Sequence, residues 1–260
     1  MYTFEIRFFP KTFDEPFIDE FDNHMHSFMS CLYKNGQTLG KFENKVKLDD
    51  HYACRIATYE MDSLDEKYFN KYCKERITKI SEMSVKEPVF HFVGKNYNVR
   101  AGCACESPSH YILLHSLDGE SPVVCGDCLE GVPLYKLPKI QYASSGEEHD
   151  NILWWEWKYE GYQLQFIGWH GKEERRCHKM MSNPKSPLSK EGRRICKQME
   201  KLTKKPFYYF LYNWYKDNKK TCPKCKKPWV NKDWDNKNKK IRYEYVCKKC
   251  RLVSNDMMTP

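Results

Sequence analysis

Apolar positions recur with two different periods along the first hundred residues. Tyr2, Phe4, Ile6 and Phe8 alternate with Thr3, Glu5 and Arg7, the pattern of a strand with one buried face. From Asp14 and Pro16 the spacing changes. Phe17, Phe21, Met25, Phe28 and Leu32 then fall on one stripe of a helix that Gly36 stops. Strand-like runs follow near 39–47 and 51–61. Asp62 and Ser63 are the cap candidates of a second helix, with Leu64, Tyr68, Phe69, Tyr72, Ile77 and Ile80 facing inward. Val89 to Val93 reads as a buried closing strand. The order βαββαβ predicts a ferredoxin-like α+β sandwich over residues 1–98, two helices on one face of an antiparallel sheet.

Beyond it the chain reads as three further segments. Residues 99–145 form a central module around the strand Tyr111–Leu114, with a Pro-rich exit from Gly131 to Pro138 and a linker or loop at Ala143–Gly146. Residues 146–215 are an α/β connecting region. Ile152 to Trp157 is a dense aromatic helix or strand, Ser186-Pro187-Leu188 starts a helix to about Thr203, and Pro206 to Trp214 reads as a strand. Residues 216–260 are the C-terminal ribbon.

Composition narrows the class. Aromatic content of 15% excludes a disordered polymer, although the mean hydropathy of −0.82 is polar for a folded chain. No apolar stretch reaches the ~20 residues of a membrane helix, and the first residues lack the apolar run of a signal peptide. Thirteen cysteines, an odd number spaced partly as C-x-x-C, predict a reducing cytoplasm and metal-bound thiolates rather than disulfides.

Eight of those cysteines carry the clearest chemistry. Cys222, Cys225, Cys247 and Cys250 have the spacing C-x₂-C-x₂₁-C-x₂-C, that of a zinc ribbon. Cys103, Cys105, Cys125 and Cys128 form a second set, C-x-C-x₁₉-C-x₂-C, with a tighter first pair. Two thiolates on a tight turn grip one face of a tetrahedral Zn²⁺ at ~2.3 Å, and a second pair closes the site. Two structural Zn²⁺ ions are therefore expected. His110 and His115 lie between the central pairs, able to replace a thiolate but more simply polar neighbours. The spacing does not fit a nucleobase deaminase: Glu106 directly follows Cys105, and Pro122 stands three residues before Cys125. H-E-x-x-H, G-x-S-x-G and a phosphate-binding Gly-rich loop are all missing. His24 and His26 point to different faces of a helix and read as exposed. His170, Cys177 and His178 have nothing to orient them as nucleophile and base. Cys31, Cys54, Cys73 and Cys196 read as small core residues. No enzyme and no small-molecule substrate is expected.

Charge is distributed unevenly. Residues 1–171 carry 18 Lys and Arg against 26 Asp and Glu, a balance of −8; residues 172–251 carry 26 against 8, a balance of +18. That asymmetry predicts a polyanionic partner for the basic part, nucleic acid foremost. Arg193 and Arg194 lie on the helix after Ser186. Lys224, Lys226 and Lys227 surround the first knuckle, and Lys239, Lys240 and Arg242 lie at the ribbon tip. Trp234 is the candidate to stack on an unpaired base, whereas Trp229 reads as ribbon core.

These residues resemble a known family. Cys103-x-Cys105, Ser121-Pro-x-x-Cys125-Gly-Asp-Cys128, Val132-Pro-Leu-Tyr-x-Leu-Pro138, Gly192-Arg-x-Ile-Cys196 and Cys247-x-x-Cys250-Arg-Leu-Val-Ser-Asn255 are similar to motifs of a bacterial zinc-ribbon-containing family of unknown function, to which nucleic-acid binding is attributed. The resemblance spans most of the chain, best from 100 to 255. It implies a ribbon that binds RNA or DNA. Members also stand beside polymorphic-toxin genes, which implies an alternative: an immunity protein that binds and neutralises a cognate toxin.

Overall fold

The computed structural model describes residues 1–95, 102–115, 121–140, 146–215, 220–231 and 243–255, without the side chains of 41–44. It is a mixed α and β structure of two compact units. Unit 1 comprises Met1–Gly102, Asp118–Ser121 and Pro133–Asp150; unit 2 comprises Cys103–Leu117, Pro122–Val132 and Asn151–Pro260.

Unit 1 runs β1 (Tyr2–Pro10), α1 (Phe17–Asn35), β2 (Leu39–Lys47), β3 (Tyr52–Thr58), α2 (Lys71–Glu82) and β4 (Ser84–Lys95). Its sheet has the order β2-β3-β1-β4, and every pair is antiparallel. Phe4, Ile6 and Phe8 of β1 bury one face against Phe21, Met25, Phe28 and Leu32 of α1. On the opposite face Glu5 accepts from Arg7 at 2.8 Å and from Arg55 of β3 at 3.4 Å, so the polar half of the alternation is paired across strands. Gly36 (φ 79°) ends α1 as expected.

Three expectations need correction here. The second helix begins at Lys71, capped by Asn70, whose Oδ1 accepts from the Cys73 amide at 2.8 Å. Ser63 instead turns its hydroxyl to the Glu60 amide and Tyr135, and Asp62 to Lys67 and Tyr68. The strand around Val89–Val93 is not buried: β4 is an edge strand, with Val85 67%, Val89 42% and Val93 47% exposed. His24 is half-buried beside Arg76, 3.4 Å away, rather than exposed. Cys31, Cys54, Cys73 and Cys196 are buried as expected.

Unit 2 contributes β5 (Tyr111–Leu113), β6 (Val123–Cys125), α3 (Asp150–Gly168), α4 (Lys172–Ser182), α5 (Pro187–Thr203), β7 (Phe207–Phe210), β8 (Tyr245–Cys247) and β9 (Leu252–Ser254). The sequence pattern did not single out α4, which buries little beyond Cys177, His178 and Met181. The sheet order is β6-β5-β7-β9-β8. β7 lies at its centre, parallel to β5 on one side and to β9 on the other, while β6 and β8 close the edges antiparallel. Residues 99–145 and 216–260 thus place strands in one sheet. Ser186 caps α5, its Oγ accepting from the Ser189 amide at 3.1 Å. Leu188, Ile195, Cys196 and Met199 turn to the sheet. Gly192 is where α5 comes closest, because a Cβ there would stand 2.2 Å from the Tyr209 ring and 2.7 Å from Trp155 Nε1. Among the described residues no helix is long and apolar enough to cross a membrane.

Unit 1 carries one built-in sensitivity to acid. His149 is 2% exposed, and burial, helped by nearby Lys139, pushes its imidazole down to about 3. The folded state therefore refuses a proton that the unfolded chain accepts below its ordinary value near 6.5. Stability should fall with pH through that window, by about 1.4 kcal/mol per pH unit. Native-state hydrogen exchange of β1 amides at pH 6.5 and 5 should show it, and His149→Leu should flatten the dependence.

Candidate metal centres and the basic pocket beside them

Each cysteine set converges on one point. Within Cys103, Cys105, Cys125 and Cys128 all four sulfurs lie within 4.8 Å of one another, and the same holds for Cys222, Cys225, Cys247 and Cys250. A tetrahedron with metal–sulfur bonds of ~2.3 Å has edges of ~3.8 Å; Cys225 Sγ and Cys247 Sγ stand 3.7 Å apart. None of the thirteen cysteines is in a disulfide. This donor set fits a tetrahedral metal ion in each site. Neither His110 nor His115 belongs to a group. His110 packs over Gly126, where a Cβ would fall 2.1 Å from its Nε2, while His115 faces Glu156 at 3.7 Å.

The backbone explains how short sequences build these turns. In the first ribbon knuckle the Cys222 amide donates to Lys227 O (2.8 Å) and the Lys226 amide to Cys222 O (2.9 Å). In the central knuckle Cys125 donates to Glu130 O (3.0 Å) and Leu129 to Cys125 O (2.9 Å). In all three C-x-x-C turns the residue after the second cysteine is left-handed: Leu129 (φ 62°), Lys226 (φ 62°) and Arg251 (φ 52°). Amides then face the sulfurs. The Lys227 amide is the largest influence on Cys225 and, with the neighbouring cysteines, holds its thiol down at about 7. Burial acts oppositely, raising Cys103, Cys247 and Cys250 and taking Cys128 to about 11. A cation at the centre lets all four ionise together. Four sulfurs complete a tetrahedron and leave no position for a water.

The second knuckle is fastened to the sheet by an ion pair. Arg251 donates from Nε and Nη2 to the two carboxylate oxygens of Glu200 on α5, both at 2.8 Å, and Glu200 also accepts from the Phe207 amide at 3.3 Å. Arg251 is the main reason the Glu200 carboxyl sits below its ordinary range. Trp229 is 2% exposed and packs on Tyr245 at 5.3 Å, as ribbon core.

Beside this joint lies a cavity of about 460 Å³ between α5, the start of β7 and both ribbon knuckles. Six cations line it: Arg193, Lys197, Lys224, Lys248, Lys249 and Arg251. Its acid is Glu200, already committed to Arg251. None of the other five cations is ion-paired among the described residues.

Of the residues predicted to meet nucleic acid, Arg193 and Lys224 line this cavity, whereas Arg194, Lys226 and Lys227 do not. Trp234, Lys239, Lys240 and Arg242 lie outside the described residues. Lys248, Lys249 and Arg251 were missed. Their signal is plain in Cys247-Lys-Lys-Cys250-Arg, where the turn that presents a metal ligand also presents its cations. Cys177 and His178 form no nucleophile–base pair. Cys177 Sγ faces Gln165 at 3.7 Å, and His178 Nε2 accepts from the Trp214 amide at 3.3 Å.

Fold and sites together define an α+β protein with two four-cysteine centres able to hold metal. Residues 1–94 match a domain of unknown function (DUF8589), and residues 105–212 match another, DUF2310, whose match ends before the C-terminal cysteines. An uncharacterized protein of Haemophilus influenzae (strain ATCC 51907 / DSM 11121 / KW20 / Rd) is 30% identical over 234 residues, 85% of each chain. A second from the same strain is 32% identical over 174 residues, 64% of this chain and 80% of the relative. The chain belongs to the family of these Haemophilus proteins. No solved structure matches it.

Two outcomes follow from the geometry. Elemental analysis of the reduced protein should find two metal ions per chain, and one in Cys247→Ser. Lys226→Gly should relieve the left-handed strain at an exposed position, about 1 kcal/mol. Its metal should pass to a competing chelator several-fold more slowly, whereas Lys226→Ala should leave the rate unchanged.

Proposed function

We propose that the chain is a cytoplasmic, non-enzymatic zinc protein that acts by binding nucleic acid through the basic side of unit 2. The reading is carried by five cations without acid partners among the described residues, gathered at one metal-braced concavity in the +18 part of the sequence. Zinc suits tetrahedral four-thiolate donors, and its role here is structural, because no coordination position is left for a reacting group. Unit 1 is read as ferredoxin-like, supported by its βαββαβ order and its antiparallel arrangement β2-β3-β1-β4. It serves as the acidic companion of the binding unit.

A second reading has one observation in its favour. The edge strand β4 presents exposed Val85, Val89, Phe92 and Val93 at the end of its sheet, a surface suited to a protein partner by strand addition. On that reading the chain is an immunity protein that neutralises a bacterial toxin.

Filter binding of single-stranded RNA and DNA across a salt series separates the two. If the basic side of unit 2 as a whole, the cavity and the surface around it together, neutralises about five phosphates, the logarithm of affinity should fall against the logarithm of salt with a slope of roughly −3.5. No binding at low salt, together with co-purification of one protein at fixed stoichiometry, contradicts the nucleic-acid reading and favours the inhibitor.

A further inference from the structure

The cavity beside the second knuckle holds more positive charge than an internal stretch of strand can balance. A sphere of 460 Å³ is ~10 Å across, room for one nucleotide and at most two backbone phosphates, each with a single charge. Five cations without acid partners among the described residues face it, from α5 (Arg193, Lys197), the first knuckle (Lys224) and the second (Lys248, Lys249). The sixth, Arg251, is neutralised by Glu200 and forms a fixed part of the wall. Arg193 is braced from behind, its Nη1 donating to Pro184 O at 3.2 Å, and its buried Nε has no partner. Of the remaining lining, Cys196 and Phe207 are buried at 3% and 0% exposure, and Cys250 belongs to the four-sulfur cluster.

We propose that this pocket takes a polyphosphate group, specifically the 5′-triphosphate end of an RNA strand. This rests on the nucleic-acid reading above and deepens it. A terminal triphosphate brings about four negative charges into the volume of one nucleotide, which matches five cations better than two diesters do. Recognition goes through phosphate oxygens alone, so the pocket is indifferent to base. The metal ion of Cys222, Cys225, Cys247 and Cys250 fixes the spacing of the two cation-bearing turns, and no bond is made or broken at it. A free nucleoside triphosphate carries the same chemistry.

The test uses the metal-loaded full chain and one RNA 12-mer bearing a 5′-triphosphate, a 5′-monophosphate or a 5′-hydroxyl, followed by fluorescence anisotropy. The triphosphate should bind roughly tenfold more tightly than the hydroxyl, with the monophosphate between. ATP and UTP should compete equally. Lys197→Gln with Lys249→Gln, both at exposed positions, should lower the affinity for triphosphate RNA about tenfold more than that for hydroxyl RNA, and so abolish the end preference. Lys190→Gln with Lys201→Gln, outside the pocket on α5, should retain the preference. Equal affinity for the three ends, or a preference that survives the Lys197/Lys249 change, overturns the pocket while leaving the nucleic-acid reading in place. ATP binding that depends on Lys197 and Lys249, with no RNA bound at any end, overturns the nucleic-acid reading and keeps the polyphosphate site with the free nucleotide as its ligand.

Discussion

Four sulfurs drawn to one point are the constraint on which the rest of unit 2 depends. β5, β6, β8 and β9 have three residues each, too short to hold a sheet by backbone bonds alone. Cys125 ends β6 and Cys247 ends β8, so each edge strand runs directly into a cysteine turn. A metal held there would do for this sheet what a large apolar core does elsewhere. It would fix strand ends whose apolar contacts, such as Ile112, Val124, Tyr208 and Val253, make only a small cluster.

The same turns join structure to charge. A C-x-x-C knuckle needs two cysteines and a left-handed residue after them, and leaves the positions between them free. In the ribbon those free positions carry Lys224, Lys248 and Lys249, and the left-handed residue of the second knuckle is Arg251. Arg251 ties the knuckle to α5 through Glu200, and α5 supplies Arg193 and Lys197 in return. One set of short-range interactions therefore places the ligands, docks the ribbon on the sheet and gathers the cations.

Much of this was legible in the residues. Alternation in β1, the apolar stripe of α1 and the cap-and-proline start of α5 are local signals, and the structure follows them. Both cysteine sets were readable from spacing alone. The start of α2 was missed because Asp62 and Ser63 look like caps but spend their oxygens on Lys67, Tyr68, Glu60 and Tyr135, leaving Asn70 to cap. The apolar run of β4 looked buried because composition does not reveal which strand ends at an edge. Least legible was the shared sheet. That β7 pairs with Tyr111–Leu113 on one side and Leu252–Val253 on the other is a contact between segments distant in sequence, and no periodicity encodes it. The pocket inherits that difficulty, since its walls come from α5 and two separate knuckles.

The most direct measurement of the central claim is X-ray absorption at the edge of the bound metal in the purified, reduced protein. Closed structural centres predict a first shell of four sulfurs at ~2.3 Å, with no lighter scatterer and no change when nucleic acid is added. A shell containing nitrogen or oxygen, or an absence of metal from folded protein, contradicts the account.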